Sequence, residues 1–431
     1  MNAFLKVSYP NIIILFCFSL IVGLIFSPAL LSISMIALVI LGLLRIEICK
    51  GRPYFRLNVE GLKRVQNISR YPAFLAITLF FLVCAIRFYP LGDAHYFLER
   101  LRIKAPFVFF PLAFLALPRF DDRRVKLILY FLLFFLAAVS VGILINYALN
   151  FERYTTLIKE GHHIPTPRNH IRYSLLAAWA VVCGIYLYIE GYVNRYAWEK
   201  WLVVGSTLFL IIFLHILSVK SGLLLLYCSL FFALLQYIWK SKAFLTGTLG
   251  LLLVLALPII AYQTLPSFKN KVAYFQYDML MYQQGEGANY SDSGRLASLD
   301  AGWRIAKDHW VWGVGTANIR NEVRLIFEAD YANYPEVFMP QNQFLFSWAS
   351  TGILGMLVVV FAFFYPIFHQ KKYQHWLTLN FFFSIFIIIM IEHALENAVG
   401  VAHYLFFCCL FLSFLTPIVP WQEKTNHVNE H

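Results

Sequence analysis

The chain has 431 residues, of which 60% are hydrophobic and only 13% charged, whereas an ordinary soluble domain carries about 25% charged residues. That composition excludes a typical soluble globular protein and makes a multipass membrane protein the starting class. The formal net charge is +12, but the basic excess falls mostly in short segments between apolar runs, where it sets orientation in a bilayer, so nucleic acid is not an expected partner.

A membrane-spanning helix needs about 20 mainly apolar residues. The first two such stretches cover 11–26 and 28–44. Further spans follow and no small-residue cleavage site is present, so the first is read as a retained helix. Arg45, Lys50, Arg52, Arg56, Lys63, Arg64 and Arg70 then mark the cytoplasmic side. Stretches 71–88 and 105–117 follow, with Arg119, Arg123, Arg124 and Lys126 again inside. After 127–147, the segment 150–172 falls outside and carries Arg168, His170 and Arg172. Stretch 173–189 leads to an inside turn with Arg195 and Lys200. Stretches 201–217 and 223–239 are joined by a short outer turn containing Lys220, and Lys240 and Lys242 return the chain inside before 244–262. The last spans are 344–368, 376–391 and 401–418, with Glu392, His393 and Glu396 in the outer turn 392–400.

The expected fold is an all-α membrane protein of about twelve transmembrane helices with one large extracytoplasmic loop containing amphipathic helices. Its divisions are 1–262 for the first nine spans, 263–340 for the loop, 341–418 for the last three and 419–431 for a cytoplasmic tail. Basic turns 99–104 and 150–172 fall on the outer side and run against the charge rule, which is statistical. The seven cysteines show neither zinc nor disulfide spacing and read as small membrane hydrophobes.

Within the loop, Leu296, Leu299, Trp303, Ala306 and Trp310 recur every three or four residues, which predicts a helix. Ser291, Asp292 and Ser293 stand before it as N-cap types, and Gly313 and Gly315 end it. The bland account is an amphipathic helix on the membrane surface with its tryptophans at the interface. It leaves Arg295 unexplained: a guanidinium in a first helical turn, where the dipole already favours anions, suits a phosphate. Lys220 sits at the membrane edge, where a cation either snorkels outward or faces a polar cavity. Arg168, His170, Arg172, Glu392 and His393 are expected at the same outer level. Such a mixed basic cluster suits an anionic lipid headgroup such as a diphosphate.

These residues resemble the O-antigen ligase family of bacterial membrane proteins, which also includes polysaccharide polymerases. The resemblance rests on Ser293, Gly294 and Arg295; on Trp303, Asp308, His309 and Trp310; on Gly313, Val314, Gly315 and Asn318; on Asn342 to Leu345 with Thr351 to Gly355; and on the outer turn at Lys220. It implies an O-antigen ligase-like glycosyltransferase of the inner membrane, with both termini cytoplasmic, that needs no metal, nucleotide sugar or other cofactor. Its donor would be an undecaprenyl-diphosphate-linked glycan. The acceptor would be a hydroxyl of lipid A–core, of another glycan or of a protein, with membrane lipids around it. The family's arginines hold the diphosphate, and a family histidine before the Asn of the tenth span helps activate the acceptor.

Arg295 is retained at these positions, but Lys220 replaces the outer-turn arginine and Gln341 replaces the histidine. Lysine still binds phosphate as a point charge without the bidentate fork. An amide cannot act as a general base near neutral pH, although it can hold a hydroxyl by hydrogen bonding. Three explanations stay open: another group takes the proton (His170, Asp292, His309 or His393), diphosphate departure needs little base, or activity is altered or lost. The expected site comprises Arg295, Lys220 and Gln341 at the reaction centre. Around them stand Arg168, His170, Arg172, Asn342, Asp292, His309, Glu392 and His393. A polymerase using the same donor, and a lipid-linked glycan transporter, are the competing readings. Against the transporter, ionisable groups gather at one face rather than near mid-depth.

Overall fold

A computed structural model describes residues 9–49, 52–86, 93–160, 162–191 and 198–416. Lys50, the turn at Arg195 and the tail 419–431 lie outside the described residues. The first part of the chain holds α1 (Tyr9–Phe26), α2 (Pro28–Leu43), strands β1 (Leu44–Cys49) and β2 (Arg52–Leu57), α3 (Val59–Gln66) and α4 (Pro72–Ile86). Next come α5 (Ala94–Lys104), α6 (Pro106–Ala116), α7 (Asp122–Leu149), α8 (Phe151–Lys159) and α9 (His170–Ile189). The centre contains α10 (Trp198–Leu217), α11 (Lys220–Ser241), α12 (Phe244–Thr264), α13 (Pro266–Gln283), α14 (Ser291–Asp308) and α15 (Ile319–Asp330). The chain closes with α16 (Gln343–Phe368), α17 (Trp376–Ile391) and α18 (Ala398–Leu415).

Within the described residues the apolar stretches read from the sequence are helical apart from their ends, because a helix satisfies its own backbone groups where no water can. Among the described residues, eight helices are long and apolar enough to cross a membrane: α1, α7, α9, α10, α11, α12, α16 and α18. The apolar helices α2, α4 and α17 are shorter. At 11 residues, α6 reaches about 16 Å, roughly half a hydrocarbon core.

Two local expectations are corrected. The basic segment after α2 is not an open loop: β1 pairs antiparallel with β2, Leu44 opposite Leu57 and Ile46 opposite Phe55. The helical stripe is shorter than expected: α14 ends at Asp308, so Trp310 lies past it, and the residues it buries include Ser293, Ala297, Ser298, Ala301, Ile305 and Ala306, while Trp303 is exposed. Small side chains let α14 approach α16 closely, as small residues do at helix interfaces in membranes.

The core is centred on α9, which packs on α7, α10, α11 and α17. Its Trp179 is fully buried, 5.3 Å from the Phe381 ring of α17 and 5.8 Å from Phe407 of α18. Edge-to-face pairs of this kind contribute about 1 kcal/mol beyond their buried area. They fix the relative positions of the three helices whose ends carry Arg172, Glu392 and Glu396.

One break in a helix has a clear cause. Gly352 interrupts α16 with φ 73°, and a Cβ there would come within 2.0 Å of the Val311 carbonyl oxygen. The carbonyls released at the break accept from the segment after α14: Val314 N–H donates to Ala349 O at 3.0 Å and Gly315 N–H to Ser350 O at 2.8 Å. Ile353 N–H donates back to Trp310 O at 2.8 Å. A kink with its backbone groups re-paired by protein is the kind a membrane helix tolerates.

Candidate active site

The expected site residues divide into groups. Lys220, in the first turn of α11, forms an ion pair with Asp292 in the first turn of α14, and its Nζ lies 4.5 Å from the Phe275 ring centre. Arg295 follows Asp292 by three residues, so the two are neighbours on one helix face. Arg295 Nη2 reaches Glu392 Oε1 at 3.9 Å. Arg172 also acts on the Glu392 carboxyl by its charge, and both line a crevice between α9 and the α17–α18 turn. The result is a string of alternating charge: Lys220, Asp292, Arg295, Glu392, Arg172. Lys220 and Arg295 are thus linked through Asp292.

Arg172 also lines an adjoining cleft of about 200 Å³ together with Arg168, Asn169, Leu24, Ile25 and Leu176. Asn169 caps α9 by accepting from Arg172 N–H at 3.0 Å, which sets the direction of that arginine. Arg168 adopts φ 62°, a left-handed conformation rare for a side chain of this size. His170 stacks on His163 with centroids 3.7 Å apart.

The electrostatics follow from crowding of like charge. Burial, then Lys271 and His170, push His163 down to about 3, so its imidazole is neutral at pH 7. Burial and the neighbouring Lys220 push Lys271 down to about 8, with Asp292 partly opposing them. Lys271 Nζ donates to His162 O at 2.7 Å. Glu392 is raised by burial, which Arg295 and Arg172 only partly offset.

Other expected residues are placed differently. The first-turn amides of α14 are not free for a phosphate. Asp278 of α13, fully buried, accepts from Asp292 N–H at 3.1 Å and from Ser293 N–H at 3.3 Å, as well as from Ser293 Oγ. It does the capping expected of Asp292 and Ser293, and Asp292 is left facing Lys220. His309 ends α14, about 20 Å from Arg295 at 1.5 Å per residue, and does not join the string. His393 stacks on Phe346 at 5.8 Å and faces Glu396, Arg100 and Lys104. Asn342 caps α16, accepting from Leu345 N–H at 3.0 Å and donating to Met390 O at 3.1 Å. Gln341 is half-buried, and its N–H donates to Ser298 Oγ one turn beyond Arg295. Gln341 thus lies between the first turns of α14 and the end of α17.

A match to known proteins covers the heart of this arrangement. Residues 205–360 match the family model described as O-antigen ligase. That segment belongs to the O-antigen ligase family. It contains Lys220, Asp292, Arg295, Gln341 and Asn342, whereas Arg168, His170, Arg172, Glu392 and His393 lie outside it. No curated protein matches the chain. With its apolar helices, the chain is a multipass bacterial membrane protein whose O-antigen ligase segment implies ligase-like or polymerase-like glycan transfer.

Several residues of the site were missed in the sequence. Lys271 and Asp278 are seven apart on α13 and so share a face, which was a usable signal. His403 of α18 also lines the crevice, and its buried Nε2 has no hydrogen-bond partner among the described residues. A histidine inside an apolar span is itself a flag. His215, which also lies inside an apolar helix, has both ring nitrogens engaged, by Ile211 O at 2.7 Å and Tyr227 Oη at 2.6 Å.

Proposed function

We propose that the protein transfers a glycan from undecaprenyl diphosphate to an acceptor hydroxyl at the periplasmic face of the inner membrane. In this reading about twelve helices cross the bilayer, both termini are cytoplasmic, and residues 263–340 lie in the periplasm. The observation that carries it is the charge string joining Lys220 to Arg172 through Asp292, Arg295 and Glu392.

In the reaction the acceptor oxygen forms a bond to the anomeric carbon of the donor sugar as the bond from that carbon to the diphosphate oxygen breaks. The leaving lipid diphosphate carries the electron pair away as an anion. Lys220, Arg295 and Arg172 stand ready to stabilise that charge, with Arg168 and Lys271 behind them. Preorganised charge of this kind often contributes more to catalysis than any other single effect. Gln341 holds the acceptor hydroxyl and Asn342 keeps it in place by capping α16. The hydroxyl proton goes to a carboxylate of the string. Asp292 is placed for this once the diphosphate replaces it on Lys220.

Arg295→Ala in protein reconstituted with lipid-linked glycan is expected to lower the transfer rate about a hundredfold. An unchanged rate at equal protein level removes Arg295 from the reaction. Loss of attachment with glycan length unchanged marks a ligase, and shortened glycan marks a polymerase. Movement of lipid-linked glycan with no new glycosidic bond marks a transporter.

A further inference from the structure

Helix α13 is built inside out for a surface helix. The residues it buries are Ser267, Lys271 and Asp278, whereas Phe275 and Tyr277 are 41% and 50% exposed. Asp278 fixes α13 to the start of α14, and this brings Tyr274 and Tyr277 to Tyr290 in the preceding turn. The ring centres of Tyr274 and Tyr277 lie 6.0 and 5.7 Å from that of Tyr290, with planes inclined by 52° and 74°. Tyr277 offers the most open ring of the three, whereas Tyr274 and Tyr290 are half-buried and Lys271 Nζ lies 5.6 Å from the Tyr274 ring centre. The group adjoins the charge string directly, because Phe275 lies under Lys220 Nζ and Tyr290 stands two residues before Asp292.

Resting on the donor reading above, we infer that Tyr274, Tyr277 and Tyr290 form a sugar-binding platform on which the pyranose ring next to the diphosphate stacks. A pyranose offers a face of C–H bonds and a rim of hydroxyls. Aromatic faces carry partial negative charge that attracts C–H groups, and the phenol oxygens at the edge can bond the hydroxyls. Tyrosine gives this contact at low entropic cost, since it has two rotatable side-chain bonds. Three tyrosines beside a diphosphate site fit a ligand that is polar at its edge and apolar on its face. Lipid chains would be served equally by leucine or phenylalanine, which separates this assignment from simple anchoring in the membrane interface.

The test uses the full chain in nanodiscs and two probes: bare undecaprenyl diphosphate, and the same lipid carrying one N-acetylglucosamine. Wild type is expected to bind the sugar-bearing lipid more tightly. Tyr277→Ala, Tyr277→Leu and Tyr290→Ala should each weaken that lipid about fivefold and leave the bare lipid unchanged, while Tyr277→Phe keeps most of the affinity. Equal wild-type affinity for the two probes overturns the platform. So does a sugar affinity unmoved by the alanine and leucine variants, or a matching loss for the bare lipid. Arg295→Ala serves as the control. If it weakens both lipids while the tyrosine variants change nothing, only the platform fails. If it weakens neither, the diphosphate reading fails with it.

Discussion

Glu392 and Glu396 lie four residues apart in the same turn, yet their carboxyls shift in opposite directions. Glu396 accepts from Lys104 Nζ at 2.6 Å and from Gln343 Nε2 at 2.8 Å, and Arg100 holds its carbonyl at 2.6 Å. Burial alone would raise its pKa, but Lys104 and Gln343 outweigh burial and hold it below the usual value. Glu392 has Arg295 at 3.9 Å and Arg172 across a crevice, and burial wins. The first carboxylate is held by two direct hydrogen bonds, whereas the arginine beside the second stays 3.9 Å away. A charge already satisfied by its own chain is structural, whereas a buried charge held at arm's length by two arginines stands where a ligand can enter. Both glutamates came out of the sequence as outer-turn acids, and only their partners tell them apart.

The largest test of that contrast is stability. Lys104→Met strands the Glu396 charge and should cost about 3–5 kcal/mol, seen as a large drop in Tm in detergent. Glu392→Gln should change stability by less than about 1 kcal/mol. The sign is fixed by linkage: Glu392 is raised in the folded state, so its ionised form does not stabilise the fold at neutral pH. Glu396 is depressed, so its contribution is present above its unfolded pKa and is lost as pH falls through the folded one. Equal losses of Tm from the two variants would dissolve the distinction between them.

A smaller effect separates the open region by pH. Lys271 is held at about 8 by burial and by Lys220, so it is charged below that pH and neutral above it. If it supports the diphosphate, affinity for undecaprenyl diphosphate should fall several-fold, at most about tenfold, between pH 7 and pH 9. Lys271→Arg keeps its charge throughout and should flatten the profile. Stability in the same range should owe little to Glu396, which stays ionised. A pH response unaltered by Lys271→Arg assigns the titration to another group.

The helices were legible because each apolar run has one physical answer in a bilayer. The candidate site was legible in part, since Lys220 and Arg172 are cations at span ends where hydropathy leaves them conspicuous, and Arg295 stands in the first turn of a helical stripe in the polar loop. What could not be read depends on pairing over distance. Lys104 and Glu396 are 292 residues apart, and nothing local marks them as partners. Asp278 caps a helix that begins after the next turn, a role that local spacing assigns to the serines and aspartate beside it. The pairing of 44–49 with 52–57 was hidden because its arginines mark it only as a basic segment. The face that α14 buries was not read because alanine and serine carry little hydropathy signal, although their small size is what lets α16 approach.

The smallest effect concerns Asn342, where the expected site and the geometry assign different work. The sequence sets it among the substrate-binding residues beside Gln341, whereas both ends of its amide are engaged, Oδ1 with Leu345 N–H and Nδ2 with Met390 O. Loss of a cap of this kind costs about 1 kcal/mol. Asn342→Asp keeps the accepting oxygen and gives up the bond to α17, while Asn342→Ala loses both. If Asn342 acts only by capping, Asn342→Ala should lower Tm by a few degrees, Asn342→Asp should keep most of that stability, and KM for the acceptor should follow stability in both. If Asn342 touches the acceptor directly, Asn342→Asp should raise that KM with Tm almost unmoved, because an anion has replaced the donor. The two variants therefore show whether this end of α16 belongs with Glu396, as part of the frame, or with Glu392, as part of the opening.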